Sequence, residues 1–379
     1  MLTPHSRRPR RRARLVPGLL VALPVLALAA PAGAVARHDG DARGGADLVV
    51  AADGSGDATT IQGAVDLAPA GSSRPVEILV RPGVYQGRVV IGADKPRLRL
   101  VGATGDPGDV VITDDRANGT PKPDGGTWGT SGSATVTVAG DGFEARDVTF
   151  ANGFDEAAHP EIANRQAVAV KTTADRVVFD HVRFLGNQDT LYLDSPAVDV
   201  PARVYVHDSW IEGDVDFVFG RATAVIDRST IKALRRTGTP NGYVLAPSTS
   251  ASSAHGFLVT RSRLISDADP GSYALGRPWH PSSAPDNEPR AVVRDSYLGP
   301  HLAVAAPWAT MAGYDWTAGS NAELHNRGPG ALVTPERPQL DAAGARANTI
   351  AAYLAGDDGW APQHGLAGES GEDQRGVRR

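Results

Sequence analysis

Residues 204–231 read VYVHDSWIEGDVDFVFGRATAVIDRSTI, and the same eight-residue figure occurs twice within them. VYVHDSWI (204–211) and AVIDRSTI (224–231) each run through a β-favouring stretch into a Ser, one further residue and an isoleucine. FLVTRSRLI (257–265) and AVVRDSYL (291–298) repeat the figure, which aligns Ser209, Ser229, Ser262 and Ser296. Upstream, ARDVTF (145–150) and FDHVRF (179–184) carry Val at the serine position. Intervals of 20 to 34 residues suit the coils of a solenoid with loops of variable length. A single coil cannot bury its own apolar face, so coils must stack, and strands stacked this way pair in parallel. The expected fold is all-β, a right-handed parallel β-helix; an antiparallel sandwich is the competing reading. TTIQGAVDL (59–67) has helical spacing at Ile61, Ala64, Val65 and Ala68, which predicts a short N-terminal helix capping the open end.

The ends of the chain differ from this body. Arginines from Arg7 to Arg14 lead into an apolar run, Leu15 to Ala30, and then Ala34-Val35-Ala36, the order of a secretory signal peptide. Pro17 and Pro24 interrupt the run, which is short for a membrane span. Residues 1–36 are thus expected to be removed on export, by the general or the twin-arginine route, and the protein to be extracellular with no membrane partner. Residues 37–46 read as a linker, 47–361 as the β-helix domain, and 362–379, with almost nothing to bury, as a disordered tail.

Taking away the six arginines of the signal moves the formal charge from −5 to −11. So acidic a chain offers no cationic surface for nucleic acid. A polyanionic ligand would need neutralised carboxyls or a local basic site. There is no cysteine, so the fold holds without disulfides or thiolate metal sites. The ten histidines are scattered without ligand spacing, and no metal or other cofactor is expected. A monomer is expected.

Four stretches gather the residue types of an ester hydrolase: QAVAV (166–170), GNQDTLY (186–192), GDVDFVFG (213–220) and LGRPW (275–279). Strand alternation in VDFVF puts Val215, Phe217 and Phe219 on one face and Asp216 with Val218 on the other. With the aromatic face inward, Asp216 projects outward between apolar neighbours, a partly desolvated carboxylate in need of a cation. Arg277 is the candidate, since a bidentate guanidinium would keep Asp216 ionised and aimed as a nucleophile. Alternation also separates Gln188 from Asp189, so both reach one site only if the chain bends at Asn187–Asp189. Trp279, two residues after Arg277, offers a ring to stack on a sugar. Tyr192, Phe219, Trp308 and Met311 are further candidates for the wall.

QDTLY, VDFVFG and LGRPW, in this order, resemble the bacterial and plant pectin methylesterases. GVYQGRVVI (83–91), WGTSGSATV (128–136) and YVLAPST (243–249) extend the likeness over roughly residues 47 to 360. The resemblance implies a β-helix that acts on pectin, the methyl-esterified homogalacturonan, and releases methanol without a cofactor. It implies attack by Asp216 on the ester carbonyl, an acyl-enzyme anhydride, and hydrolysis assisted by Asp189. Asp189 would begin protonated, because like charges in one pocket push one carboxyl upward. Gln166 and Gln188 would donate amide N–H groups to the oxyanion. Thr130, Arg236 and Tyr243 are placed near the substrate by the resemblance alone. The chain departs from the family at Tyr85-Gln86-Gly87, where Tyr-x-Glu is familiar, and in the longer loop Asp194 to Ala202.

Two other readings compete. A pectate lyase would need a calcium-binding acidic cluster, for which Asp114-Asp115 is the nearest sequence feature. A non-catalytic solenoid that binds polysaccharide would have no use for two Asp, two Gln and an Arg in this order. No GxSxG elbow is present to support a serine esterase.

Overall fold

The computed structural model describes residues 45–366. The expected signal peptide, most of the linker and residues 367–379 lie outside the described residues. The repeats form three sheets whose strands are parallel throughout, of ten, seven and eight strands, so the sandwich reading is excluded and the chain is a parallel β-helix. Successive coils place one strand in each sheet, and the order of strands across each sheet follows their order in the chain.

The figure seen in the sequence is the corner between the ten-stranded and the eight-stranded sheet. Before each serine the chain takes a left-handed conformation: Asp208, Arg228, Arg261 and Asp295 have φ between 44° and 52°. Asp147 and His181 do the same ahead of Val148 and Val182. The serines join the coils. Ser229 Oγ accepts the Ser209 amide at 3.1 Å, Ser262 Oγ that of Ser229 at 3.1 Å, and Ser296 Oγ that of Ser262 at 3.0 Å. Each hydroxyl donates to the carbonyl two residues back. Asn326 ends the series by accepting the Ser296 amide at 3.1 Å. A corner that leaves sheet pairing exposes buried backbone N–H groups, and a serine satisfies one without widening the turn.

Beyond the corner, Phe150, Phe184, Ile211, Ile231, Leu264 and Leu298 stand in register down the interior. Full burial of such a side chain stabilises by about 1.5–3 kcal/mol. The strands of the ten-stranded sheet are apolar on both faces for a second reason: Tyr205, Val225, Leu258 and Val292 point outward and are covered by Tyr353 and Leu354 of the helix Ile350–Leu354. A final helical turn, Gln363–Leu366, brings Leu366 to the same cluster, so the chain stays ordered past the expected tail boundary at 362. At the other end the predicted helix forms as Ile61–Leu67, capped by the Thr60 hydroxyl, with Ile61, Ala64 and Val65 in the core beside the first strands.

Candidate active site

The site grows from the seven-stranded sheet. Its strands Val170–Thr172, Leu191–Leu193, Val215–Gly220 and Tyr273–Gly276 carry or adjoin the four motifs, and Gly242–Pro247 lies between the last two. Asp216 sits where the pairing of its strand slips, between Val215 and Val218, and has φ of 51°. This bulge corrects the alternation read from VDFVF. Phe217 and Val218 both enter the core, and Phe219 turns outward, where it packs with Tyr192 and Trp279. Asp216 does project from the core, as expected. Gly220 closes the motif because a Cβ there would collide with the Leu193 carbonyl oxygen.

The bend expected at Asn187–Asp189 is present. Asp189 has φ of 67°, the Thr190 hydroxyl donates to the Asn187 carbonyl at 3.0 Å, and the Asp189 amide donates to Val215 O at 3.0 Å. The turn therefore hangs directly on the Asp216 strand. Both carboxylates occupy left-handed positions, a conformation that Asp tolerates better than most side chains.

Arg277 meets Asp216 through two bonds, Nε to Oδ1 at 2.8 Å and Nη2 to Oδ2 at 2.6 Å. Reaching across the intervening strand, its guanidinium lies 3.7 Å from the centre of the Tyr243 ring. Tyr243 is thus a platform for the cation, an arrangement that suits a planar guanidinium and not an ammonium. Burial pushes the Asp216 carboxyl upward and the Arg277 bonds pull it back. Asp189 is pushed well above the usual carboxylate range, first by burial and then by the charge of Asp216; Arg277 and a hydrogen bond from Gln188 offset this only in part. Two buried carboxyls with one guanidinium aligned on the first favour an ionised Asp216 and a protonated Asp189.

A family model described as pectinesterase matches residues 47–349. The chain is 34% identical to a pectinesterase of Ralstonia solanacearum, over 74% of this chain and 77% of the relative. It is also 34% identical to pectinesterase A of Dickeya dadantii, over 80% and 87%. The chain belongs to the pectinesterase family. Among solved structures, a pectin methylesterase in complex with a hexasaccharide has a TM-score of 0.74 and 33% identity, covering 84% of this chain and 98% of that one. The pectin methylesterase from Yersinia enterocolitica has a TM-score of 0.71 and 30% identity, covering 80% and 99%.

Other residues expected in this pectinesterase site fall into three groups. Tyr192, Phe219 and Trp279 form an aromatic wall: the first two stack at 4.2 Å, and Trp279 stands edge-on to them at 5.9 and 5.5 Å. Gln166 and Thr130 are tied through Asn118, whose amide donates to Gln166 O at 2.7 Å and whose side chain donates to Thr130 Oγ1 at 3.0 Å. The Gln166 side-chain oxygen is buried with no hydrogen-bond partner among the described residues. Met311 lies at the rim, in a loop bridged to Tyr314, whose ring stacks on His280 next to Trp279.

One expectation is corrected. Trp308 is no wall residue; it is 2% exposed in the core, with Gly276 against its ring. Arg236 pairs through Nη1 with Asp214 Oδ2 at 3.0 Å, with Glu156 at 3.9 Å. The pair borders a cleft of about 720 Å³ that also takes in Asn187. Asp214 itself was overlooked by sequence reasoning although it stands inside GDVDFVFG. It is a third buried carboxylate, and its charge adds to the upward push on Asp189. The adjacent pair Asp114-Asp115 is no calcium cluster: Asp114 pairs with Arg116. Among the described residues no group of three or more His, Asp or Glu is placed to hold a metal ion.

Proposed function

We propose that this protein hydrolyses the methyl esters of polygalacturonate through a covalent intermediate on Asp216. The bidentate pair Asp216–Arg277, with the buried Asp189 on a turn bonded to the same strand through Val215 O, is the observation that carries this reading. An Asp216 oxygen attacks the ester carbonyl carbon. The carbonyl electrons move onto oxygen, where the amides of Gln166 and Gln188 supply donors. Collapse breaks the bond to methoxide, Asp189 gives its proton to form methanol, and an anhydride joins the galacturonyl carbon to Asp216. Asp189, now a carboxylate, takes a proton from a water that attacks the same carbon. The carbon–Asp216 bond breaks, a galacturonic acid leaves, and both carboxyls return to their starting states. Arg277 holds the nucleophile in line throughout, and Tyr192, Phe219 and Trp279 offer a face for the sugar.

Residues 1–36 would direct export, which places the enzyme outside the cell where its polymer is found. Acting alone as a monomer, it would need no nucleic acid or membrane; among the described residues no helix is long and apolar enough to cross one. The test is methanol release from methyl-esterified polygalacturonate. Asp216→Ala should abolish release and keep polymer binding, whereas release at the parent rate would remove Asp216 from the chemistry.

A further inference from the structure

The outer face of the eight-stranded sheet carries a row of side chains that the esterase site does not use. Arg183, Trp210, Thr230, Arg263 and Tyr297 pair in register across five neighbouring strands, and Arg327 bridges to Tyr297 on the next coil. The residue after each of the five, Phe184, Ile211, Ile231, Leu264 and Leu298, lies in the core, so alternation turns the row itself to solvent. Arg263 and Arg327 are exposed, and Arg183, Trp210 and Tyr297 partly so. Cations and aromatic rings thus interleave along one line. Five intervals at about 4.8 Å make that line about 24 Å long.

The positive charge of the row is not neutralised from within the protein. Among the described residues no carboxylate stands within ion-pair distance of Arg183, Arg263 or Arg327, because those nearby are engaged elsewhere. Glu212 pairs with Lys232 and accepts the Trp210 indole N–H at 3.3 Å, Asp227 pairs with Arg261, and Asp295 pairs with Arg294. At the corner beside the row, exposed Asp208 is matched in number by exposed Arg228. The Arg263 guanidinium lies 5.1 Å from the centre of the Tyr297 ring, and a cleft of about 440 Å³ opens along Arg183, Trp210 and Thr230, bordered by Pro107. An aromatic ring packs on the apolar face of a sugar, and a guanidinium pairs with a carboxylate. A chain of net negative charge that aligns three unpaired arginines with two rings presents the complement of a linear sugar polymer bearing carboxylates.

We propose that this row is a second, non-catalytic binding site for an acidic polysaccharide, on a different sheet from Asp216. The inference rests on the esterase reading for the setting in which such a polymer is met. Held through this face, the enzyme stays attached to a charged matrix while the seven-stranded sheet works on another chain, and the two sites do not compete. Depletion from solution by polygalacturonate-coated beads tests it, comparing the parent with an Arg183→Gln/Arg263→Gln/Arg327→Gln variant. The variant should bind about ten-fold more weakly at low salt, the scale of one lost charge-assisted bond. That difference should shrink as salt rises and shortens the Debye length. Arg74→Gln/Arg97→Gln/Arg346→Gln makes the same change in net charge at exposed positions outside the row and should bind like the parent. Trp210→Ala should weaken binding by a factor that salt does not remove. For a methyl-esterified trigalacturonate, kcat and KM should be the same in the parent and the row variant, which shows the variant folded and its catalytic face intact. Equal bead binding by parent and row variant overturns the proposal, as does an equal loss in the control variant or a matching rise in KM for the trimer. If the parent releases no methanol from any pectin, the esterase reading fails, and the bead comparison still decides whether the second site exists.

Discussion

Replacing Arg277 by Gln removes the guanidinium from both oxygens of Asp216 and leaves a carboxylate whose side chain is only 9% exposed. No other cation among the described residues lies within ion-pair distance of it. Breaking a buried pair from one side costs about 3–5 kcal/mol. Because the Arg277 side chain retains 19% exposure, the low end applies, about 3 kcal/mol at pH 7. Asp216 can escape that cost by taking a proton, so its titration should climb. Asp216→Asn leaves no charge to strand. In a double-mutant cycle by urea unfolding, Arg277→Gln should therefore be strongly destabilising alone and nearly harmless beside Asp216→Asn, a coupling of about 3 kcal/mol. The acidic limb of methanol release should shift upward in the single variant. Additive effects within about 0.5 kcal/mol would refute the claim that the guanidinium is there to keep this carboxylate charged.

Three further outcomes are expected. Asp189 holds a proton in the folded state that the unfolded chain releases above the ordinary value of 3.8, so stability is full below that pH and falls as pH rises toward the raised folded value. Asp189→Asn should accordingly unfold at a higher temperature than the parent at pH 7 while losing activity, and the two melting temperatures should converge near pH 3; a gap that persists there would contradict the sign. Asp214→Asn removes a charge that helps keep Asp189 protonated, with Arg236 and Glu156 the other charged groups facing it, so the alkaline limb of the pH–kcat profile should move to lower pH. An unmoved limb would show that the carboxylate is felt only by Arg236. Ser229→Ala strands the buried Ser209 amide and should lower urea stability by about 1–3 kcal/mol with the methanol-release rate of the folded enzyme unchanged.

The solenoid was legible because its interior is a set of columns, and a column in space is a recurring position in the chain. Phe184, Ile211 and Ile231 occupy one core position, so the figure around Ser209 and Ser229 had to recur. The site was legible as residue types in order, though not as geometry. Alternation assumes an unbroken pleat, and the bulge at Asp216 breaks it, which is why Val218 and Phe219 exchanged faces. An Asp inside an apolar strand, at a position able to take left-handed φ, was the available sign of that irregularity. Trp308 lies in the core because residue type alone does not say which way a ring points. The pairing of Arg236 was not legible, because its carboxylate partner, Asp214, comes from the preceding coil, and pairing between coils leaves no trace in local spacing.

Gln166, Asp189, Asp216, Tyr243 and Arg277 come from successive coils in turn along one sheet. Repeat proteins commonly gain or lose whole units over evolutionary time, since every unit contacts only its neighbours. Here such a step between Asp189 and Arg277 would displace Asp216 from Arg277 or from Asp189 by a full strand spacing. Length can change freely on either flank of those coils, where extra turns would only lengthen the sheet and leave these five side chains in place.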